Sequence, residues 1–352
     1  MPELATKITD LKAALAALPR ARFAHVPTPL DRCRRLGAEL GGIDLWMKRD
    51  DATGMALGGN KTRQLEYILG FAIQQGHDCI IQGAASQSNH ARQLAAAGAK
   101  LGLEVHLTPW LDARSSPVQG NFLLSHLYGA VLHPIEAGAS SIDAKRALAE
   151  ELRAQGKNPY IVGMGAHDAL VLAAVAYIDA FVEILDQLGD AGPPDWVFTT
   201  SQGSTQAGLL AAARVLGLDT KVIGINPMGA DHEAYSPPAV IESMVVEAAQ
   251  RVGYRLELEP GAVVNRTDFV GEAYGVPSVA GLAALRTLAT TEGILLDPVY
   301  SSKGFSGVIG AAHSGELRRE DSVVFVHTGG LPIVFPYADD ILASYGGTNA
   351  SH

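Results

Sequence analysis

Short runs of apolar, mostly β-branched residues alternate along the chain with longer stretches rich in Ala and Leu. Short runs are typical of buried strands, and apolar residues at every third or fourth position are typical of helices with one buried face. The predicted strands span residues 45–48, 79–82, 105–108, 160–163, 197–200, 222–225 and 323–327. The predicted helices span residues 7–17, 61–75, 91–101, 141–154, 169–188, 205–216, 238–252 and 279–291. This alternation predicts βαβ units, and therefore an α/β fold with mainly parallel sheets flanked by helices.

Composition and charge narrow the class of protein. The chain has 352 residues, of which 47% are hydrophobic, and this is enough for a packed core of one or two domains. Its 37 acidic and 27 basic residues give a formal net charge of −10, and no Lys/Arg-rich run occurs. We therefore expect neither nucleic acid nor an anionic membrane as a partner. No apolar run reaches the ~18 residues that span a bilayer.

The two cysteines, Cys33 and Cys79, are too few for a disulfide framework and fit a reducing compartment. The first residues, MPEL, lack the charged and then apolar pattern of a signal peptide. We therefore expect a cytoplasmic protein.

Residues 58–63 (GGNKTR) form the first cluster with chemical content. The glycines allow a tight turn, and Lys61 falls in the first turn of a predicted helix. The positive end of the helix dipole or burial can lower the pKa of a lysine there, and a neutral amine is a nucleophile toward aldehydes. The alternative is a solvated lysine in a glycine-rich loop.

Two further clusters combine the end of a predicted strand with the start of a helix. Residues 86–90 (SQSNH) follow one strand, and residues 199–208 (TTSQGSTQAG) follow another and lead into a helix that we expect to begin near Ala207. Backbone amides and hydroxyls at a helix N-terminus bind anions, so the second segment predicts a phosphate site. Helix capping and a plain turn are the alternatives.

Residues 297–304 (DPVYSSKG), preceded by Tyr274-Gly275, and residues 327–332 (HTGGLP) place phenols and hydroxyls in loops. In α/β proteins ligands bind in the loops that follow strands. Asp231, His232 and Glu233 do not combine with a second ligand cluster, so no metal site is predicted.

An amine nucleophile, a phosphate site and hydroxyls at strand ends together fit pyridoxal 5′-phosphate, which needs a lysine, an anion site and a partner for its ring nitrogen. The sequence resembles the family of D-cysteine desulfhydrases, L-cysteate sulfo-lyases and 1-aminocyclopropane-1-carboxylate deaminases. The matching segments, in family order, are WMKRDDATGMALGGNKTRQLEYIL, QGAASQSNHARQLAAAGAKLGL, GSTQAGLL, DFVGEAYGVPS, EGILLDPVYSSKGFSGVI and HTGGLP.

The resemblance implies a two-domain fold similar to that of the tryptophan synthase β subunit, called fold type II among pyridoxal-phosphate enzymes. Residues 1–60 and 165–352 would form a large cofactor domain, and residues 61–164 a small inserted α/β domain. The resemblance also implies a homodimer.

The resemblance also assigns residue roles. Those assigned to the cofactor are Lys61, Asn89, Gly203, Ser204, Thr205, Gln206, Ser301 and Thr328. Those assigned to the substrate are Ser88, Asn89, His90, His167, Tyr274 and Tyr300. Those assigned to catalysis are Lys61, Ser88, Tyr274 and Tyr300. Asn89 would donate to the phenolic oxygen of the cofactor, and Thr328, or alternatively Ser301, would meet the ring nitrogen.

The chain departs from its relatives at three places. Gln64 stands where many relatives have a lysine that helps to hold phosphate. His90 and Ser301 argue for the desulfhydrase and cysteate branch against the deaminases. Residues 164–168 (MGAHD) replace a Gly/Ser-rich loop that lies near the substrate in relatives.

The expected activity is a pyridoxal-phosphate-dependent carbon–sulfur lyase. It would eliminate the β substituent of a small amino acid such as D-cysteine or L-cysteate, giving pyruvate, ammonia and sulfide or sulfite. The alternatives are ring-opening deamination of 1-aminocyclopropane-1-carboxylate, another elimination or racemisation of a small amino acid, and binding of the cofactor or an amino acid without turnover.

Overall fold

The computed structural model describes residues 2–111, 115–136, 138–230, 232 and 235–345. Its helices are α1 Pro2–Ala16, α2 Arg34–Glu39, α3 Asn60–Gln74, α4 Asn89–Leu101, α5 Gly120–Leu127, α6 Ser141–Ala154, α7 His167–Leu188, α8 Ser204–Val215, α9 Pro238–Arg251, α10 Val279–Glu292, α11 Ser301–His313 and α12 Ala338–Ala343. Its strands are β1 Leu30–Arg32, β2 Asp44–Lys48, β3 Cys79–Ala85, β4 Glu104–Trp110, β5 Val131–Leu132, β6 Pro159–Val162, β7 Trp196–Thr200, β8 Lys221–Ile225, β9 Val264–Arg266 and β10 Ser322–Val326. Every predicted strand and helix has a counterpart, and α8 begins three residues before Ala207.

The strands form two sheets. The larger has the order β1-β2-β10-β7-β8-β9, and the smaller has the order β5-β4-β3-β6. Every neighbouring pair is parallel except β1 with β2. The predicted α/β class with mainly parallel sheets is therefore confirmed.

The larger sheet is covered on both faces, as the alternation along β10 shows. Val324 and Val326 belong to the core that the sheet shares with α7, α8 and α9. Val323 and Phe325 belong to the core on the opposite face, with α2, α10 and α11. Successive side chains of a strand point to opposite faces, so a strand buried on both sides is apolar throughout.

The smaller sheet is also enclosed by helices. Ile80 of β3 packs in a core with α3, α4 and the first turns of α7. Its neighbours Cys79 and Ile81 face Leu148 and Leu152 of α6. Both cysteines of the chain are buried free thiols.

Helix α11 was not predicted, because its sequence SSKGFSGVIGAAH contains three glycines, which usually weaken a helix. Here they form a stripe against the larger sheet. A Cβ at Gly304 would lie 1.9 Å from Thr200 Oγ1, and one at Gly307 would lie 2.6 Å from Ile225 Cδ1. The glycines therefore allow α11 to approach strands β7 and β8 closely.

Among the described residues, no helix is both long enough and apolar enough to cross a membrane. The longest, α7, packs instead within the core of the larger sheet.

Candidate active site

A cavity of about 370 Å³ lies at the carboxyl ends of strands β3, β6, β7 and β10. Ligands of α/β proteins bind at this edge of a parallel sheet. The predicted site residues that line the cavity are Lys61, Ser88, Asn89, His90, His167, Ser204, Thr205, Tyr274, Tyr300 and Thr328. Segments far apart in the sequence thus meet in one place.

Lys61 is held by two glycine turns that touch each other. Gly59, with φ of 127°, precedes α3, and a Cβ at Gly329 would lie 2.6 Å from the Gly59 Cα. The backbone N–H of Asn60 donates to the carbonyl of Thr328 at 3.0 Å. Only glycine permits this approach, which brings the predicted lysine turn and the HTGG turn together.

Burial lowers the pKa of Lys61 to about 8. Lys61 is also the second residue of α3, so the positive end of the helix dipole acts in the same direction as burial. No hydrogen bond or ion pair among the described residues uses Lys61 Nζ. An amine with a lowered pKa and without a carboxylate partner is a good nucleophile for a cofactor aldehyde.

Ser88, Asn89 and His90 form the start of α4. The Ser88 Oγ caps the helix by accepting from the Ala91 N–H at 3.2 Å, and its own hydroxyl proton remains available to the cavity. Burial, with the positive charges of Lys61 and Lys145, lowers the pKa of His90 to about 3. His90 is therefore neutral near pH 7.

A second helix start, that of α8, brings Ser204 and Thr205 to the cavity. Thr205 Oγ1 accepts from Asn60 Nδ2 at 3.2 Å and from Gln64 Nε2 at 3.1 Å. The first amides of a helix have no intrahelical acceptor, so amides and hydroxyls here can hold an anion. Gln64 reaches this turn directly, with an amide in place of a positive charge.

Gly203 and Gln206 lie behind this turn and do not line the cavity. Both of their backbone amides donate to Ser201 Oγ. The Gln206 side chain joins α8 to β9 through the Val264 carbonyl and Asn265. These bonds shape the turn, and the contact of the two residues with the cofactor stays a prediction.

Ser301 also lies outside the cavity lining, where the sequence offered it as a second partner for the ring nitrogen. Its hydroxyl donates to Asp297 Oδ2 at 2.6 Å. The Asp297 carboxylate also accepts from the backbone N–H groups of Val299, Tyr300 and Ser301. The DPVYSS segment is thus a carboxylate cap that sets the position of Tyr300 at the start of α11.

The phenols of Tyr274 and Tyr300 share a hydrogen bond in the cavity wall. Burial and the neighbouring Tyr274 raise the pKa of Tyr300 well above its usual value, so Tyr300 remains protonated. The ring of His232 packs edge-on against Tyr274, with centroids 4.7 Å apart. Asp231 and Glu233 lie outside the described residues.

Thr328 lines the cavity beside the lysine turn, where the sequence predicted a partner for the ring nitrogen. The preceding His327 fixes the turn, because its Nδ1 accepts from Gly329 N–H and its Nε2 faces the Leu295 carbonyl at 2.9 Å.

His167 lies at the start of α7, in a different environment from the other predicted residues. It is about half exposed, and its Nε2 pairs with Glu247 Oε1 of α9 at 2.8 Å. The next residue, Asp168, pairs with Arg251 of α9. Residues 164–168 therefore link the smaller sheet to α9 beside the cavity.

Among the described residues that line the cavity there is no Asp, Glu or Arg. The ionisable side chains that line it are those of one lysine, three histidines and three half-buried tyrosines. They are Lys61, His90, His167, His232, Tyr235, Tyr274 and Tyr300. Two helix N-termini and a lysine without a carboxylate partner fit an anionic aldehyde such as pyridoxal 5′-phosphate.

Three polar residues that support the site were not singled out from the sequence. They are Asn60, Gln93 and Asn121. Gln93 and Asn121 are fully buried. The first turns of α3 and α4 are mostly polar, so no pattern distinguishes Asn60 or Gln93 there, and Asn121 carries no motif signal of its own.

The comparisons with known proteins agree with this geometry. The pyridoxal-phosphate dependent enzyme family matches residues 21–329. The chain belongs to this family. A D-cysteine desulfhydrase of Salmonella typhimurium is 34% identical over 331 residues, covering 92% of this chain and 97% of that protein.

Two solved structures share the fold. A crystal structure described as an ACC deaminase homologue has a TM-score of 0.84 and 31% identity, and the match covers 95% of this chain and 99% of that one. An O-ureido-L-serine synthase has a TM-score of 0.63 at 15% identity, covering 96% and 95%, and shows the fold alone. The predicted fold type II architecture and the cofactor are therefore confirmed.

Proposed function

We propose that this chain is a pyridoxal-phosphate-dependent lyase that removes the β substituent of a small amino acid, with D-cysteine as the favoured substrate. When bound, the cofactor withdraws electrons from the substrate carbon that loses its proton. The observation that carries the proposal is the half-buried Lys61 in the wall of the cavity, whose pKa is lowered to about 8 and which pairs with no carboxylate of the described residues. The similarity of the chain to D-cysteine desulfhydrases supports the choice of substrate.

The residues around Lys61 supply what the reaction needs from the protein. The hydroxyl of Ser88 and the first amides of α4 can hold the substrate carboxylate. The amine of Lys61 would take the α-proton, and Ser88 is the alternative base. The phenols of Tyr274 and Tyr300 can donate a proton to the departing sulfur.

The charges in the cavity favour a thiol over a sulfonate as the leaving group. His90, with a pKa of about 3, carries no positive charge near neutral pH. His167 already pairs with the carboxylate of Glu247, which would compete with a sulfonate for the imidazole. Among the described residues that line the cavity there is no arginine to pair with a sulfonate, so its charge would lose water without compensation. The thiol of D-cysteine avoids this desolvation cost.

Ring-opening deamination of 1-aminocyclopropane-1-carboxylate is the second candidate. The structural similarity to the ACC deaminase homologue and the paired phenols support it. Elimination or racemisation of another small amino acid would use the same lysine.

A substrate panel tests the proposal. We expect D-cysteine to give pyruvate and sulfide in equal amounts, and L-cysteate to give little sulfite. A larger yield of 2-oxobutyrate from 1-aminocyclopropane-1-carboxylate would favour the second candidate. The absence of 2-oxo acid from every compound would reject the lyase.

The Lys61→Ala variant tests whether turnover depends on this amine. Ser306→Ala is its matched control, because Ser306 lies buried in α11 and its hydroxyl bonds, within the part of the chain that the structure describes, only the Lys303 carbonyl. We expect turnover to be lost in the first variant and kept in the second.

The remaining proposals concern organisation. The confinement of the smaller sheet to residues 79–162 supports a small domain of residues 61–164 inserted into a large one of residues 1–60 and 165–352. The exposed apolar side chains of Phe335 and Leu342 are consistent with a homodimer. Sedimentation of the purified protein tests the dimer, and fractionation of cells tests the cytoplasmic location.

A further inference from the structure

Asn121 lies in α5, outside the cavity lining, and its side chain is fully buried. Its Nδ2 donates two hydrogen bonds of 2.8 Å, one to the backbone carbonyl of Gln87 and one to Asn89 Oδ1. Its backbone N–H donates to Gln87 Oε1 at 3.0 Å. Asn121 thus contacts the segment that carries the predicted cofactor residue Asn89.

These contacts determine which way each amide points. A backbone carbonyl can only accept, so the atom of Asn121 that faces Gln87 O must be the nitrogen. That nitrogen also faces Asn89, and it therefore requires the oxygen of Asn89 on that side. The Nδ2 of Asn89 is left on the other side of its amide, and none of the hydrogen bonds between described residues uses it.

The backbone around Asn121 is built for this close approach. Gly120 has φ of 56°, and a Cβ there would lie 2.5 Å from Gln87 Oε1 and 2.7 Å from Pro336 Cγ. The Gln87 amide also donates to the Gln119 carbonyl at 3.1 Å. Three hydrogen bonds therefore join the start of α5 to Gln87 in the turn before α4, and a fourth joins it to Asn89, the first residue of α4.

We propose that Asn121 is a positioning residue that holds the Asn89 amide as a donor toward the phenolic oxygen of the bound cofactor. The inference rests on the proposed role of Asn89. Without Asn121, the Asn89 amide is free to rotate and to present its oxygen to that position, which repels the negatively charged phenolic oxygen.

The test compares two ligands of the unloaded protein. One is pyridoxal 5′-phosphate, and the other is its 3-deoxy analogue, which lacks the phenolic oxygen. We expect Asn121→Ala to lower the affinity for pyridoxal 5′-phosphate about tenfold, as for the loss of one hydrogen bond to a charged group. The affinity for the analogue should stay unchanged. Dissociation constants are measured by absorption titration.

Ser125→Ala is the matched control. Ser125 is buried in the same helix, and among the described residues its hydroxyl bonds only the Asn121 carbonyl. This variant should therefore bind both ligands as the wild type does. Thermal unfolding of each unloaded variant reports its fold. If Asn121→Ala does not fold, Asn121→Ser, whose short hydroxyl cannot reach both oxygens, replaces it.

Equal weakening of both ligands, or weakening of neither, would overturn the inference. Asn89→Ala separates this failure from that of the role assigned to Asn89. If Asn89→Ala discriminates between the ligands and Asn121→Ala does not, only the positioning role is wrong. If Asn89→Ala does not discriminate, the contact between Asn89 and the phenolic oxygen is itself wrong.

Discussion

The side-chain oxygen of Gln93 accepts hydrogen bonds from both the backbone N–H and the hydroxyl of Thr62, each at 2.8 Å. Its nitrogen donates to the Asn89 carbonyl at 3.1 Å. One fully buried amide of α4 therefore connects the lysine turn to the start of α4 itself, and it fixes the distance between Lys61 and Ser88.

Replacement of Gln93 should destabilise this connection in a graded manner. Gln93→Leu leaves the Thr62 donors buried without an acceptor, and we expect a loss of about 2 kcal/mol in the free energy of unfolding, with a lower kcat. Thr62→Val removes one donor and should cost less, about 1 kcal/mol. Thr62→Ser keeps both donors and is the control. Urea unfolding measures the free energy of unfolding of all three variants. A Gln93→Leu variant as stable as the wild type would contradict the role of Gln93.

The pKa of Lys61 predicts how the unloaded protein captures its cofactor as pH changes. With a pKa of about 8, about a tenth of the amine is neutral at pH 7, against about one part in three thousand for an ordinary lysine. The capture rate should rise about tenfold per pH unit below pH 8 and level off above it. Stopped-flow absorption measures this rate, and a rise that continues to pH 10 would show an ordinary lysine.

Glu183 of α7 should be important for stability because it joins two buried cations. It pairs with Arg63 at 2.7 Å and with Lys48. Glu183→Gln leaves both cations without this charge, and we expect a loss of about 3 kcal/mol. Asp186→Asn, which breaks an exposed pair with Lys12, is the matched control and should change stability by less than about 1 kcal/mol.

The same residue predicts a dependence on pH. Burial alone would raise the pKa of Glu183, but the hydrogen bonds and charges of Arg63 and Lys48 outweigh it and lower this pKa. The stabilisation is therefore complete above the pKa of an unfolded glutamate, about 4.3, and is lost as pH falls through the lower value of the folded protein. Unfolding measured from pH 7 to pH 3 should show the difference between wild type and Glu183→Gln shrinking in acid.

The glycine stripe of α11 predicts an ordered series of alanine variants. Gly304→Ala places a Cβ 1.9 Å from Thr200 Oγ1, and Gly310→Ala places one 3.0 Å from the edge of the Phe269 ring. We expect the first to cost about 2 kcal/mol or more through overpacking, and the second to cost less. Thermal unfolding measures both. Equal stability of the two variants would show that α11 does not depend on this close packing.

The sequence predicted elements well where periodicity was strong and local. All seven predicted strands and all eight predicted helices are present, because apolar periodicity directly reports burial. It missed α11, where tertiary packing outweighs the low helix propensity of three glycines. It also missed α5, whose eight residues are too few for a clear period.

For the site, motifs indicated which residues belong together but not which atoms face the cavity. Ser301 follows Tyr300 in the same motif, yet its hydroxyl bonds Asp297. Asn121 carries no motif signal of its own, and its importance follows from a tertiary contact with Asn89. Such contacts depend on the packing of separate helices, which local patterns do not specify.

The identity of the reactive amine is tested most directly by borohydride reduction of the cofactor-loaded protein, followed by peptide mass spectrometry. Lys303 is the informative competitor, because burial lowers its pKa to about 8 as well, although it lies in α11 and bonds the Ala273 carbonyl. We predict that the pyridoxyl group is attached to Lys61 alone. Attachment to Lys303 or to any other lysine would contradict the account.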